Sequence, residues 1–154
     1  MSAGEEHMIP RPGVQAPRRE FGPLTRQMFV RYAGASGDFN PMHYDDEFAR
    51  SAGHPSVFAQ GMFSAALLAG FATDWMGAGN VRRFGVRFRE QVWPGDVLTC
   101  SGTVTAVTAE PEGDRISLEL AATRQTGGVA ISGIAEFLIT QNAQGRNTDS
   151  PDGS

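Results

Sequence analysis

The sequence predicts an α+β domain in which one long apolar helix lies against a curled antiparallel sheet. Three observations carry that reading. The uncharged run PSVFAQGMFSAALLAGFAT (55–73) has the length and composition of a buried helix. Directly after it the hydrophobic period switches to two: in VRRFGVRFREQV, Phe84, Val86 and Phe88 alternate with Arg83, Gly85, Arg87 and Arg89. Three more strand-like runs follow at 97–108, 115–124 and 129–140. Helical segments followed by four consecutive antiparallel strands make the α+β order, and wrapping the sheet on the apolar helix buries both.

Length and composition bound the rest. The 154 residues fit one domain with a real core, and 40% hydrophobic with 19% charged residues is ordinary for a globular chain. A net charge of −4 argues against a nucleic-acid partner. The lone Cys100 cannot form an internal disulfide and no Cys/His cluster has zinc spacing, so a cytoplasmic protein without a metal is expected. The first twenty residues carry Glu5 and Glu6 and lack an apolar run, which excludes a signal peptide there. Gln60, two serines and Thr73 within 55–73, with His54 and Asp74 at its borders, favour a helix inside the protein over a membrane span. Residues 1–18 and 142–154, rich in Pro, Gly and polar side chains, are expected to be loose tails around a single domain at 19–141.

Along that domain, Thr25 offers an N-cap and Leu24 a staple for a first helix, with Phe29, Tyr32 and Ala33 on one face and its end at Gly34–Gly37. The chain then reads Gly37-Asp38-Phe39-Asn40-Pro41-Met42-His43, where Pro41 forbids regular structure. Either this is a polar turn or the break gathers three functional groups. Asp45, Asp46 and Glu47 place negative charge at a helix start and read as a cap rather than a carboxylate site. The apolar helix itself is set at 61–75, its Ala65, Ala66, Ala69, Gly70 and Ala72 leaving room for the sheet. Trp93-Pro94-Gly95-Asp96, 110–114 and Gly127-Gly128 supply the turns.

These residues carry a resemblance. YAGASGDFNPMHYDDEFARSAG, FAQGMFSAALL and VRFREQVWPGDVL are similar to the signature, helix start and post-helix strand of the MaoC-like, (R)-specific enoyl-CoA hydratases. The similarity covers roughly 20–140, and within the family it looks closest to the B subunit of actinobacterial 3-hydroxyacyl-ACP dehydratases. It implies a hot-dog fold, a sheet wrapped around a central helix. It also implies reversible hydration of trans-2-enoyl thioesters, with acyl-CoA or an acyl carrier protein thioester as substrate and no cofactor. Such domains pair edge to edge, so a homodimer or a heterodimer with a second hot-dog chain is expected.

The chemistry fits the residue types. Adding water across the double bond needs a base, an acid for the α-carbon and donors for charge developing on the thioester oxygen. The resemblance gives Asp38 and His43 jointly the water activation and proton delivery. Asn40 either orients this loop or is a turn residue before Pro. Gly61 would be the oxyanion donor through its backbone N–H; otherwise it is a helix-start glycine. Gln60 and Met62 flank it as substrate contacts, Gln60 standing where relatives often have His. Where some relatives have a serine further along, this chain has Ala69-Gly70, and Ser64 lies earlier on the helix, so no serine is assigned. His54 reads as a surface or capping residue. Arg82, Arg83, Arg87 and Arg89 are either the solvated face of a strand or a landing site for phosphate or an acidic carrier, with Arg83 and Arg87 taken as the contacts. Besides an enzyme, a pocket-shaping subunit or a hot-dog thioesterase is conceivable. A chain retaining both Asp38 and His43 should be the catalytic half of any mixed pair.

Overall fold

Helix α1 (Arg26–Ser36) starts where a cap is available: Thr25 is extended and its side-chain oxygen accepts the N–H of Met28. In this computed structural model, which describes residues 10–140, Leu24 and Phe29 are both buried in one cluster, completing the staple. Ala33 is also buried and Tyr32 is half-buried. The helix stops at Gly37, whose φ of 77° lies in the left-handed region that glycine enters without a Cβ clash. Helix α2 (Asp46–Ser51) is capped by Asp45, whose Oδ1 accepts the N–H groups of Glu47 and Phe48. Asp46 pairs with Arg26 at 2.7 Å and ties α2 to α1. The acidic triplet is a cap, as its position predicted.

Helix α3 (Gly61–Met76) is the central element. Ala65, Leu68, Phe71, Ala72 and Met76 pack on the inward side chains of the sheet, including Val104, Ile116, Leu118, Leu120, Ile131, Ala135 and Phe137. A Cβ on Gly133 would stand 3.3 Å from Leu68, so the missing side chain is part of what lets the helix lie close. Fully burying a side chain such as Leu68 stabilises the fold by about 1.5–3 kcal/mol relative to exposure. The small residues of α3 divide between two faces: Ala65 and Ala72 meet the sheet, whereas Ala66 and Gly70 are exposed on the other side. Among the described residues no helix is long and apolar enough to cross a membrane.

The sheet contains β1 (Arg19–Phe21), β2 (Val81–Phe88), β3 (Leu98–Glu110), β4 (Gly113–Arg124) and β5 (Val129–Ile139) in the order β1-β3-β4-β5-β2, every pair antiparallel. With α3 packed on it, this is the hot-dog arrangement. Four details go beyond the sequence reading or correct it. Strand β1 was not foreseen, because three residues show no period; it forms by adding to the edge of β3. Strand β2 does not neighbour β3 but pairs with β5, and residues 89–97 carry the chain from one side of the sheet to the other. The turn expected over 110–114 narrows to Pro111-Glu112, since Glu110 and Gly113 still pair. Within the tail expected at 1–18, residues 13–16 run along β3, with Gly13 N–H on the Val104 carbonyl, Ala16 N–H on the Gly102 carbonyl and Ala16 buried. Residues 1–9 and the expected tail at 142–154 lie outside the described residues.

Candidate active site

Pro41 starts a single 3₁₀ turn, Pro41–His43, that turns the chain after α1. Asn40 caps it: its Oδ1 accepts the N–H of Met42 at 3.1 Å. Of the two sequence readings of Asn40, the turn role is the one seen: its side-chain oxygen caps the turn that carries His43. Asp38 reaches back in the same way, Oδ1 accepting the N–H of Asn40 at 3.3 Å.

His43 is 8% exposed and wedged edge-on against the ring of Phe58, 5.2 Å between centroids. Its Nδ1 lies 2.8 Å from the carbonyl oxygen of Phe58. A carbonyl can only accept, so Nδ1 carries the proton and neutral His43 presents a lone pair at Nε2. That nitrogen faces Asp38 Oδ2 at 3.7 Å. The gap is too long for a direct hydrogen bond and suits one shared water. Asp38 keeps 46% of its side chain exposed, so the pair opens to solvent.

Three residues beyond Phe58 stands Gly61, the first residue of α3. Its N–H has no partner within the helix, where the backbone dipoles also concentrate positive potential. The Phe88 ring packs directly on it: a Cβ at Gly61 would lie 3.0 Å from that ring. Gly61, Ser64, Phe58, Phe88, Trp93 and Ile131 line a cleft of about 670 Å³, with Arg89, Glu90 and Arg124 at its polar side. Two of its lining residues, Trp93 and Arg124, are held by Asp96. That carboxylate accepts from the Trp93 N–H, from Arg124 through Nε and Nη2, and from the Gln125 amide. Burial alone would raise its pKa, but those donors outweigh burial and hold it below its ordinary value.

The structure brings together Asp38, Asn40, His43 and Phe58, and it places Gly61 with Phe58 on the wall of the cleft, a wall to which Asp38, Asn40 and His43 do not contribute. Met62 is exposed beside Gly61. Gln60 does not face the cleft: it is 1% exposed and its Nε2 donates to the Phe29 carbonyl at 2.9 Å, joining α3 to α1. An N-cap position turned toward the helix interior explains this; the flanking Gly-Met pattern gave no sign of its direction. Arg83 and Arg87 lie on the strand face opposite Phe84 and Val86, which pack on the core, so they stand away from Gly61; Arg83 approaches Glu136 at 3.7 Å. Strict alternation in β2 already implied that separation. Arg89, just past the strand end, is the member of the cluster that borders the cleft. His54 stacks on Phe58, 4.8 Å between centroids, as a half-buried loop residue. Phe58 and Trp93 were missed, because an aromatic in a loop has no periodic signal.

Comparison with known proteins bears on the family and the fold. A family model described as the MaoC like domain matches residues 11–125. The enoyl-CoA hydratase ChsH3 of Mycobacterium tuberculosis is 30% identical over 115 residues, which are 73% of this chain and 37% of that protein. The chain spans only 4% of the fatty acid synthase β subunit of Saccharomyces cerevisiae, of which 73 residues align at 34% identity. Among solved structures, the (R)-hydratase from A. caviae involved in PHA biosynthesis superposes with a TM-score of 0.76 at 25% identity, covering 86% of this chain and 98% of that one. The ChsH1–ChsH2 complex of M. tuberculosis shares the fold, with a TM-score of 0.75 at 23% identity over 85% of this chain and 99% of the matched chain.

Proposed function

This chain belongs to the MaoC-like dehydratase family, and from that premise we propose that it catalyses the reversible hydration of trans-2-enoyl thioesters to (R)-3-hydroxyacyl thioesters. The observation that carries the proposal is the fixed tautomer of His43: with Nδ1–H held by the Phe58 carbonyl, the free Nε2 and Asp38 Oδ2 converge on a site for one water. When the oxygen of that water bonds to the β-carbon, its proton passes to the Asp38/His43 pair, and a proton from the pair reaches the α-carbon. In the dehydration direction the same two groups act in reverse. Negative charge appears meanwhile on the thioester oxygen, and the Gly61 N–H is the donor placed to meet it. Met62 is a substrate contact in this reading, and Arg89 replaces Arg83 and Arg87 as the cation nearest the carrier's phosphate.

The substrate is an acyl-CoA or an acyl carrier protein thioester in the cytoplasm, and the chemistry calls for no metal or cofactor. A second hot-dog chain completes the assembly, either another copy or a distinct subunit. Phe88, 52% exposed although it packs on Gly61, and the exposed Met62 beside it support such a cover. The test is turnover of crotonyl-CoA and trans-2-decenoyl-CoA, followed as loss of enoyl absorbance. Asp38→Asn and His43→Ala should each lower kcat about a thousandfold. Near-wild-type rates in both variants would overturn the assignment. A wild-type chain silent alone but active with a second hot-dog chain would select the heteromeric form.

A further inference from the structure

Ser64 has no role in the mechanism above, yet its surroundings are those of a functional group. It is 2% exposed, it lines the cleft with Gly61, and no hydrogen bond engages its Oγ among the described residues. Other helical hydroxyls of this chain do bond backward along their helices: Ser36 Oγ donates to the Tyr32 carbonyl and Thr73 Oγ1 to the Gly70 carbonyl. Ser64 leaves that usual local partner unused. Among the described residues the fully buried side-chain atom without a partner is Gln60 Oε1; the Ser64 Oγ is unpaired but not in that state, so it reaches the cleft surface, where a ligand acceptor can meet it.

Geometry indicates which part of a ligand. Ser64 stands three residues after Gly61, on the same face of α3 and one turn further in. Side chains on a helix lean toward its N-terminus, so the Ser64 hydroxyl is directed back toward the free N–H groups of the first turn. An acceptor held by the Gly61 N–H would lie within the reach of both donors. In hydration of an enoyl thioester, the new carbon–oxygen bond at the β-carbon displaces the double-bond electron pair toward the α-carbon and the thioester oxygen. That oxygen carries negative charge until a proton arrives at the α-carbon.

We propose that Ser64 is the second donor of the oxyanion site, its hydroxyl and the Gly61 N–H together binding the thioester oxygen of the substrate. The inference rests on the hydratase reading above and adds a residue to it. The serine contributes most when charge on the oxygen is greatest, so its loss acts on kcat more than on KM.

The experiment compares wild type, Ser64→Ala and Ser64→Thr on crotonyl-CoA and trans-2-decenoyl-CoA, with thermal melting of each. Ser64→Ala should lower kcat by about 100-fold with KM changed less than about threefold, and Ser64→Thr should recover most of the rate by restoring a hydroxyl. Binding of butyryl-CoA should weaken in Ser64→Ala, whereas S-butyl-CoA, which lacks the carbonyl oxygen, should bind both proteins equally. An unchanged kcat in a folded Ser64→Ala variant overturns the proposal while leaving the hydratase reading intact. Equal weakening of butyryl-CoA and S-butyl-CoA overturns it as well, since that marks a general distortion of the cleft. A wild type inactive on every enoyl thioester, alone and with a partner chain, overturns the parent reading and this one with it.

Discussion

Asp38 and Asp96 are two loop aspartates that serve opposite ends. Asp96 is buried and its acceptor positions are filled, by a backbone N–H, two guanidinium nitrogens and an amide. Asp38 holds one N–H at 3.3 Å and leaves Oδ2 facing His43 across 3.7 Å. The first arrangement leaves the carboxylate nothing further to bind and fixes the turn behind the cleft. The second leaves capacity for a water and a proton. Polar satisfaction, rather than residue type, separates the structural carboxylate from the one proposed to react.

The contrast can be broken most forcefully by removing each charge in turn. Asp38→Asn should lower kcat about a thousandfold while its unfolding free energy from urea melts stays within about 0.5 kcal/mol of wild type, as expected for a partly exposed group. Asp96→Asn should do the reverse, destabilising the fold by about 3 kcal/mol because Arg124 loses its buried counter-charge. Loss of stability in the first variant and none in the second would reverse the assignment. Acid titration sharpens the same point. The folded Asp96 carboxyl binds its proton less readily than the unfolded one, so its stabilising effect is complete above the ordinary value of 3.8 and is lost as pH falls through the lower folded value. Urea melts should therefore show the gap between wild type and Asp96→Asn closing in acid; a gap constant with pH would contradict the pairing. The smallest effect is expected from Asn40→Ala, which removes the cap of the 3₁₀ turn. It should cost about 1 kcal/mol in melting experiments and lower kcat about tenfold through a displaced His43.

The parts legible in the sequence are those governed by local rules. Thr25, Asp45 and Gly37 announce helix ends because each satisfies or releases specific backbone groups. Alternation in β2 gives its inward and outward faces, and the loop around Pro41 was marked by a residue that cannot continue a helix. What stayed hidden depends on long-range pairing. Strand β1 exists only because β3 offers an edge, and the placing of β2 beside β5 follows from how the sheet closes on α3. The inward turn of Gln60 and the aromatic wall of Phe58 and Trp93 depend on packing between segments distant in sequence. The candidate site was legible in its Asp38-Asn40-His43 loop, which is contiguous, and not at Ser64, whose place on the cleft wall depends on how α3 packs.

The bond from His43 Nδ1 to the Phe58 carbonyl has one further consequence. An imidazole carries a proton at Nδ1 both when neutral in this tautomer and when fully protonated, so the carbonyl sees the same donor in either state. Gaining or losing a proton at Nε2 therefore requires no ring flip and no exchange of partners. In the proposed mechanism the imidazole would pass through a complete turnover cycle on a stationary mount, without the reorganisation that a freely rotating histidine undergoes at every proton transfer.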